Sequence, residues 1–326
     1  MLIESDTHKA LSAISSTSSF VNDFETNIGF LRAPFTSLPK NNYLFQSESA
    51  LQVMNTVIFS LKAGESIVKI TGEKGVGKTF LLRQCVSALS DEYYVMHCID
   101  SSANTSDFLK SIIEEFGMTY SLSATIPQLL KQIQCLLYEH YSKTDYPIVV
   151  WIDDAQNIPM DTLAVIESLC KFQTRQRKLI RFILSGTSKL DRNLEKDAVK
   201  QLRHNIAHYE TLKPLTQNEI LEYVDLRLNA SGVAGSICFT PAAIRLLYRK
   251  TKGIPRAINY IANKALLLAY GKGESVVTKS YVYQAVIECD WIENQDERFL
   301  VYFFYLPMIL AGLGVFLMFG IEWMTL

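Results

Sequence analysis

The spacing of apolar positions divides the chain into two regimes. In the first, short apolar runs alternate with amphipathic stretches of helical period. Ser47 offers an N-cap for a helix over Glu48–Lys62, which Gly64 ends. Strands are predicted over Ser66–Thr71, Tyr93–Ile99, Pro147–Ile152 and Leu179–Ser185. Between them lie predicted helices over Lys78–Leu89, from a Ser106 cap to Phe116, from Pro127 to about Tyr141, and over Met160–Phe172. The residues between His204 and His208 also read as a strand. Strands separated by helices imply βαβ units, hence an α/β fold whose mostly parallel sheet is sandwiched by helices.

After Pro214 only helices are expected. Thr216 and Glu219 form a capping box for a helix to Ser231, and Thr240-Pro241 opens a second. Gly253-Ile254-Pro255 interrupts, a third helix runs over Arg256–Tyr270 to Gly271, and Thr278 starts a fourth to Cys289. This is a small helical lid. The expected division is a Ser/Thr-rich disordered leader over 1–26, an α/β domain over 27–213 and the lid over 214–292.

One motif converts this pattern into chemistry. Gly72, Glu73, Lys74, Gly75, Val76, Gly77, Lys78 and Thr79, followed by Phe80, satisfy G-x-x-x-x-G-K-[ST] between a strand and a helix. Glycines let backbone N–H groups converge on phosphate oxygens, and the helix aims its positive end at the same anions. Lys78 would supply charge to the β and γ phosphates of ATP, and the Thr79 hydroxyl a ligand to Mg²⁺. Further on, the apolar run Ile148–Ile152 meets Asp153 and Asp154. Asp153 suits Mg²⁺ coordination and Asp154 suits the base that polarises the attacking water.

These motifs, with Asp153-Asp154-Ala155-Gln156, Gly253-Ile254-Pro255-Arg256 and the leading segment Pro34-Phe35 … Tyr43-Leu44-Phe45-Gln46-Ser47, resemble AAA+ ATPases of the general secretion pathway protein A and MshM family. The likeness runs from about Phe30 to Cys289. It implies an AAA+ P-loop NTPase acting beside a bacterial envelope machine: MSHA-type pilus biogenesis, favoured by the compact chain, or type II secretion. It implies further roles. Arg256 stands at the sensor-2 position and Thr187 at sensor 1. Arg203, in Gln201-Leu202-Arg203, stands where an arginine finger would reach a neighbouring ATP in a homo-oligomer, a hexamer in the family. Asn205 replaces the second Arg of that pattern. Asp154 replaces the family's Glu, one methylene longer, so hydrolysis could be slow and a nucleotide-gated scaffold with little turnover stays open.

Composition adds boundaries. Formal net charge is −1, which gives no bulk attraction to nucleic acid or anionic lipid, and no nucleic-acid partner is expected. A DNA-handling alternative rests on Lys171, Arg175, Arg177, Lys178 and Arg181, a cluster more simply read as a solvated helix end and loop. Six cysteines without C-x-x-C spacing read as reduced core residues, and no metal-ligand spacing is found among the histidines. The polar N-terminus has no signal-peptide core. Residues 299–321 carry no charge, and about 23 residues span a hydrocarbon layer of roughly 30 Å. Arg298 and upstream lysines precede this run and no Lys or Arg follows it. The expected arrangement is therefore one transmembrane helix in a bacterial inner membrane, with the ATPase domain cytoplasmic.

Overall fold

The computed structural model describes residues 33–36, 45–89, 92–98, 101–232 and 237–289. The leader over 1–26 and the apolar run over 299–321 lie outside them. Among the described residues no helix is long and apolar enough to cross a membrane.

Helix α1 (Glu48–Lys62) starts where Ser47 Oγ accepts the Ala50 amide at 3.1 Å. Then follow β1 (Ile67–Gly72), α2 (Lys78–Leu89), β2 (Tyr94–Cys98), α3 (Thr105–Glu115), α4 (Ile126–Thr144), β3 (Ile148–Ile152), α5 (Met160–Leu169) and β4 (Ile180–Gly186). Two short helices, α6 (Ser188–Leu194) and α7 (Lys200–His204), lead to β5 (Ile206–Leu212). The five strands form one parallel sheet in the order β2-β3-β4-β1-β5. His204 thus ends a helix, Asn205 caps it with helical backbone, and the strand expected between the two histidines begins only at Ile206.

Strand alternation feeds two cores. Ile148, Val150 and Ile152 of β3 join Phe108, Ile133 and Leu163 on one face. Val149 and Trp151 join Val53, Leu61 and Leu82 on the other. Successive side chains point to opposite faces, so a strand apolar throughout must be covered twice. On β4 the same alternation sends Ile183 to the second core, and Arg181 and Ser185 lie on that side of the strand; both are buried.

The helical part comprises α8 (Gln217–Ala230), β6 (Cys238–Phe239), α9 (Pro241–Thr251), α10 (Pro255–Tyr270), β7 (Val276–Val277) and α11 (Lys279–Ile287). The expected capping box forms: Glu219 N donates to Thr216 Oγ1 at 3.3 Å, and Thr216 N to Glu219 Oε2 at 2.8 Å. A small parallel pairing of β6 with β7 was not foreseen. Between α9 and α10, Gly253 has φ +79, and a Cβ there would lie 2.0 Å from the Leu215 carbonyl oxygen. Only glycine permits that approach, which is closed by the Leu215 amide donating to Gly253 O at 2.9 Å.

Three further expectations change. The cap of α3 is Asn104, whose side chain accepts the Asp107 amide, because its backbone is the extended one; Ser106 lies inside the helix. Phe35, grouped by sequence with the α/β part, packs in the core of the helical part, edge-on to Phe239 at 6.1 Å. Cys85, Cys170 and Cys289 are buried as expected, but Cys135 and Cys238 are exposed.

Candidate functional site

Because the sheet is parallel, the segments that leave the C-terminal ends of its strands gather along one edge. There a cavity of about 480 Å³ opens between sheet and helical part, within the range that holds a small organic ligand. Its wall includes Lys74 to Arg83 apart from Leu82 — hence the P-loop turn, Lys78, Thr79 and Phe80 — together with Asp153, Asp154 and Arg256.

The loop after β1 is shaped by glycine. Gly75 has φ +85, and a Cβ there would meet Arg256 Cβ at 2.9 Å. The Arg256 amide donates to Gly75 O at 3.2 Å, so α10 begins directly on the loop. Two motifs about 180 residues apart in sequence thus meet at one backbone contact. Lys78 is buried, and its Nζ donates to the carbonyls of Gly72 at 2.9 Å and Glu73 at 3.0 Å. Burial holds its ammonium below the ordinary lysine range, against the opposing pull of Asp153 and Asp154.

The acids follow from register. Ile152 pairs with Leu184, so Asp153 emerges beside Ser185. Thr79 Oγ1 donates to Asp153 Oδ2 at 2.5 Å, and Ser185 Oγ donates to the other oxygen, Oδ1. A hydroxyl and a carboxylate meeting in this way are hard oxygen donors of the kind magnesium takes, with its remaining positions left to water and phosphate. Asp154 is exposed and turns through φ +48, a left-handed conformation that aspartate tolerates better than most residues. Its Oδ1 accepts Gln156 Nε2 at 2.9 Å, while Gln156 Oε1 accepts the Thr187 amide at 2.9 Å. Gln156 therefore ties the acid after β3 to the turn after β4.

Thr187 is the N-cap of α6, and neither it nor Arg203 is among the residues lining the cavity. The hydroxyl that reaches Asp153 belongs instead to Ser185, two residues earlier. Arg203 lies in α7 and is exposed. Several lining residues carry no local motif. Tyr223 stands edge-on to Phe45 at 5.8 Å and donates to Asn259 Oδ1 at 2.7 Å. Buried Arg227 donates to Thr36 O at 3.2 Å and lies over the Tyr223 ring. These groups face the loop only once the helical part docks, which no short spacing encodes. Among the described residues there is no group of three or more His, Cys, Asp or Glu able to hold a metal.

Comparison with known proteins agrees with this geometry. The family model of an AAA domain matches residues 61–194. General secretion pathway protein A of Aeromonas hydrophila is 29% identical over 267 residues, which cover 82% of this chain and 48% of that protein. The chain thus spans about half the length of the curated relative it matches. An Aeropyrum pernix ORC2 protein, solved as ADPNP and ADP complexes, superposes with a TM-score of 0.60 at 17% identity, over 79% of this chain and 71% of that one. Cdc6p from Pyrobaculum aerophilum gives 0.60 at 16%, over 77% and 69%. At such identities these two structures speak for the fold alone. The chain therefore has a P-loop α/β fold, matches the AAA domain over residues 61–194 and is similar to general secretion pathway protein A.

Proposed function

We propose that this chain binds ATP with Mg²⁺ in the cavity at the sheet edge and hydrolyses it to drive or regulate assembly of a bacterial envelope machine. MSHA-type pilus biogenesis is the first assignment and type II secretion the alternative. The observation that carries the reading is the contact of Thr79, in the first turn of α2, with Asp153 just after β3, beside a buried Lys78.

In this reading Gly72 to Phe80 wrap the phosphates, with Lys78 exchanging its two carbonyl partners for β and γ oxygens. Thr79 and Asp153 would hold magnesium, which would supply positive charge against the phosphate oxygens. Asp154 accepts a proton from the attacking water as its oxygen bonds to the γ phosphorus and the bridging bond breaks. Gln156 keeps that carboxylate in place. Arg256 reaches the γ-phosphate from the helical part, Thr187 hydrogen-bonds at the sensor-1 position, and Arg203 serves the site of a neighbouring copy in a homo-oligomer. Phe45 and Tyr223 supply apolar surface for the base. Anchoring in an inner membrane with the ATPase part cytoplasmic rests on the uncharged run over 299–321.

Equilibrium binding of a fluorescent ATP analogue and steady-state turnover test the reading on the full chain. Lys78→Ala is expected to abolish both, and Asp154→Asn to abolish turnover while keeping magnesium-dependent binding. A parent protein with no magnesium-dependent affinity for adenine nucleotides would overturn it. One observation favours a second reading, a nucleotide-gated scaffold: the Asp154 carboxylate is already engaged by Gln156. That reading gains if Asp154→Asn supports assembly in cells as the parent does.

A further inference from the structure

A second, larger cavity of about 740 Å³ lies at the opposite end of the sheet, where strands begin. Its wall comes from the end of α1, the residues before β2 and β3, and the turn over 173–178 that precedes β4. Five cations line it, Lys62, Arg175, Arg177, Lys178 and Arg181, against two carboxylates, Glu92 and Asp145. In a chain of net charge −1 this is a strong local excess. Both carboxylates are already taken: Lys62 pairs with Glu92 at 2.8 Å, and Arg177 stands 4.0 Å from Asp145.

Arg181 forms the back of this cavity, and the sequence expectation of a solvated cluster fails there. It is 4% exposed because strand alternation turns it inward beside Ile183. Its guanidinium donates to the Leu61 carbonyl and to the Tyr93 hydroxyl at 3.2 Å, and lies over the Tyr93 ring. Its Nε is sealed from water with no acceptor, and no carboxylate lies within ion-pair distance among the described residues. A buried cation met only by neutral dipoles is costly, so the fold leaves a positive field without a counter-charge. In front of it the basic turn is held in shape. Thr174 Oγ1 accepts the amides of Gln176 at 3.3 Å and Arg177 at 3.0 Å, Gln173 bridges Lys178, and Lys178 Nζ donates to Cys170 O at 3.1 Å. Arginine forks on a fixed turn above a buried positive charge suit a multivalent oxyanion.

We propose that this cavity is a binding site for a phosphate group, separate from the P-loop, with Arg175 and Arg177 as its contacting forks and Arg181 as its buried charge. Free phosphates and phospholipid headgroups share that chemistry. The test uses the full chain with its P-loop saturated by magnesium and a non-hydrolysable ATP analogue. Inorganic phosphate, titrated at ionic strength balanced with chloride, is expected to bind saturably. The double variant Arg175→Ser/Arg177→Ser, on exposed positions away from the nucleotide cavity, is expected to weaken it at least tenfold without changing affinity for the analogue. In a second arm, flotation with phosphatidylglycerol vesicles that the double variant loses, and that free phosphate competes away, assigns a lipid headgroup. Phosphate binding without flotation assigns a soluble ligand. Binding of neither probe overturns the proposal, as does phosphate binding unchanged in the double variant. A shift of duplex DNA with no saturable phosphate binding also overturns it, in favour of a nucleic-acid face. Saturation by the analogue is measured first, so failure of the ATP reading shows up separately.

Discussion

Replacing Gln156 by alanine removes a side chain that connects Asp154 to the turn after β4. The parent residue donates to Asp154 Oδ1 and accepts from the Thr187 amide, both at 2.9 Å. A hydrogen bond to a charged group contributes roughly 1.5–3 kcal/mol, and because Asp154 is exposed the low end applies. If that contribution orients the base in the transition state, its loss raises the barrier by about 1.4 kcal/mol, a fall in kcat of roughly tenfold. The nucleotide contacts lie elsewhere, so KM for ATP should stay within about twofold. Stability also falls, by about 1 kcal/mol, because the Thr187 amide loses its acceptor. Gln156→Glu separates the two effects. It keeps an acceptor for Thr187 but sets a second carboxylate against Asp154. Its melting temperature should therefore match the parent while kcat falls at least as far as in the alanine variant. As pH drops toward the glutamate range, its protonated carboxyl can donate to Asp154, and its turnover relative to the parent should rise. The assays are coupled steady-state turnover at saturating ATP from pH 5 to 8, and thermal melting. The reasoning is refuted if both variants keep kcat within twofold of the parent, or if only the variant with a lowered melting temperature loses activity.

Other perturbations have equally definite outcomes. Gly75→Ala places a methyl at φ +85 and 2.9 Å from Arg256 Cβ; a left-handed alanine costs roughly 1–2 kcal/mol, so nucleotide affinity should fall about tenfold or more by fluorescence titration. Gly253→Ala meets the Leu215 carbonyl oxygen at 2.0 Å and should lower stability by roughly 2 kcal/mol or more in urea melts, with nucleotide affinity falling as α10 shifts. Lys78 is held low by burial in the free protein, and a bound phosphate, as a neighbouring negative charge, should raise it. ATP affinity should thus be full below the free-state value and decline as pH climbs through it, with protons taken up on binding in that window. Calorimetry in two alkaline buffers of different ionisation enthalpy checks this, and zero proton uptake would contradict it. Burial pushes the thiols of Cys85 and Cys170 up to about 12, whereas Cys135 and Cys238 are exposed. Iodoacetamide followed by mass spectrometry should label the exposed pair in the native protein and the buried pair only after unfolding.

The phosphate loop, the acids after β3 and most helix starts could be read in the sequence because each depends on neighbours within a few residues. Gly72 to Thr79 carry their own backbone requirement, and Thr216 with Glu219 close their box over three positions. The five consecutive apolar residues of β3 announce a strand covered on both faces. What the sequence could not supply is what depends on register and docking. Ser185 touches Asp153 because Ile152 pairs with Leu184, and Gln156 meets Thr187 across the ends of the same two strands. Arg256 joins the loop through a helix that begins about 180 residues later, and Arg227, Tyr223 and Asn259 join the cavity with the same helical part. Arg181 looked like part of a surface cluster until strand alternation turned it inward behind the second cavity. Short-range hydrogen bonds and backbone sterics are written residue by residue, whereas the meeting of distant strand ends and helix starts is decided only when the two cores close.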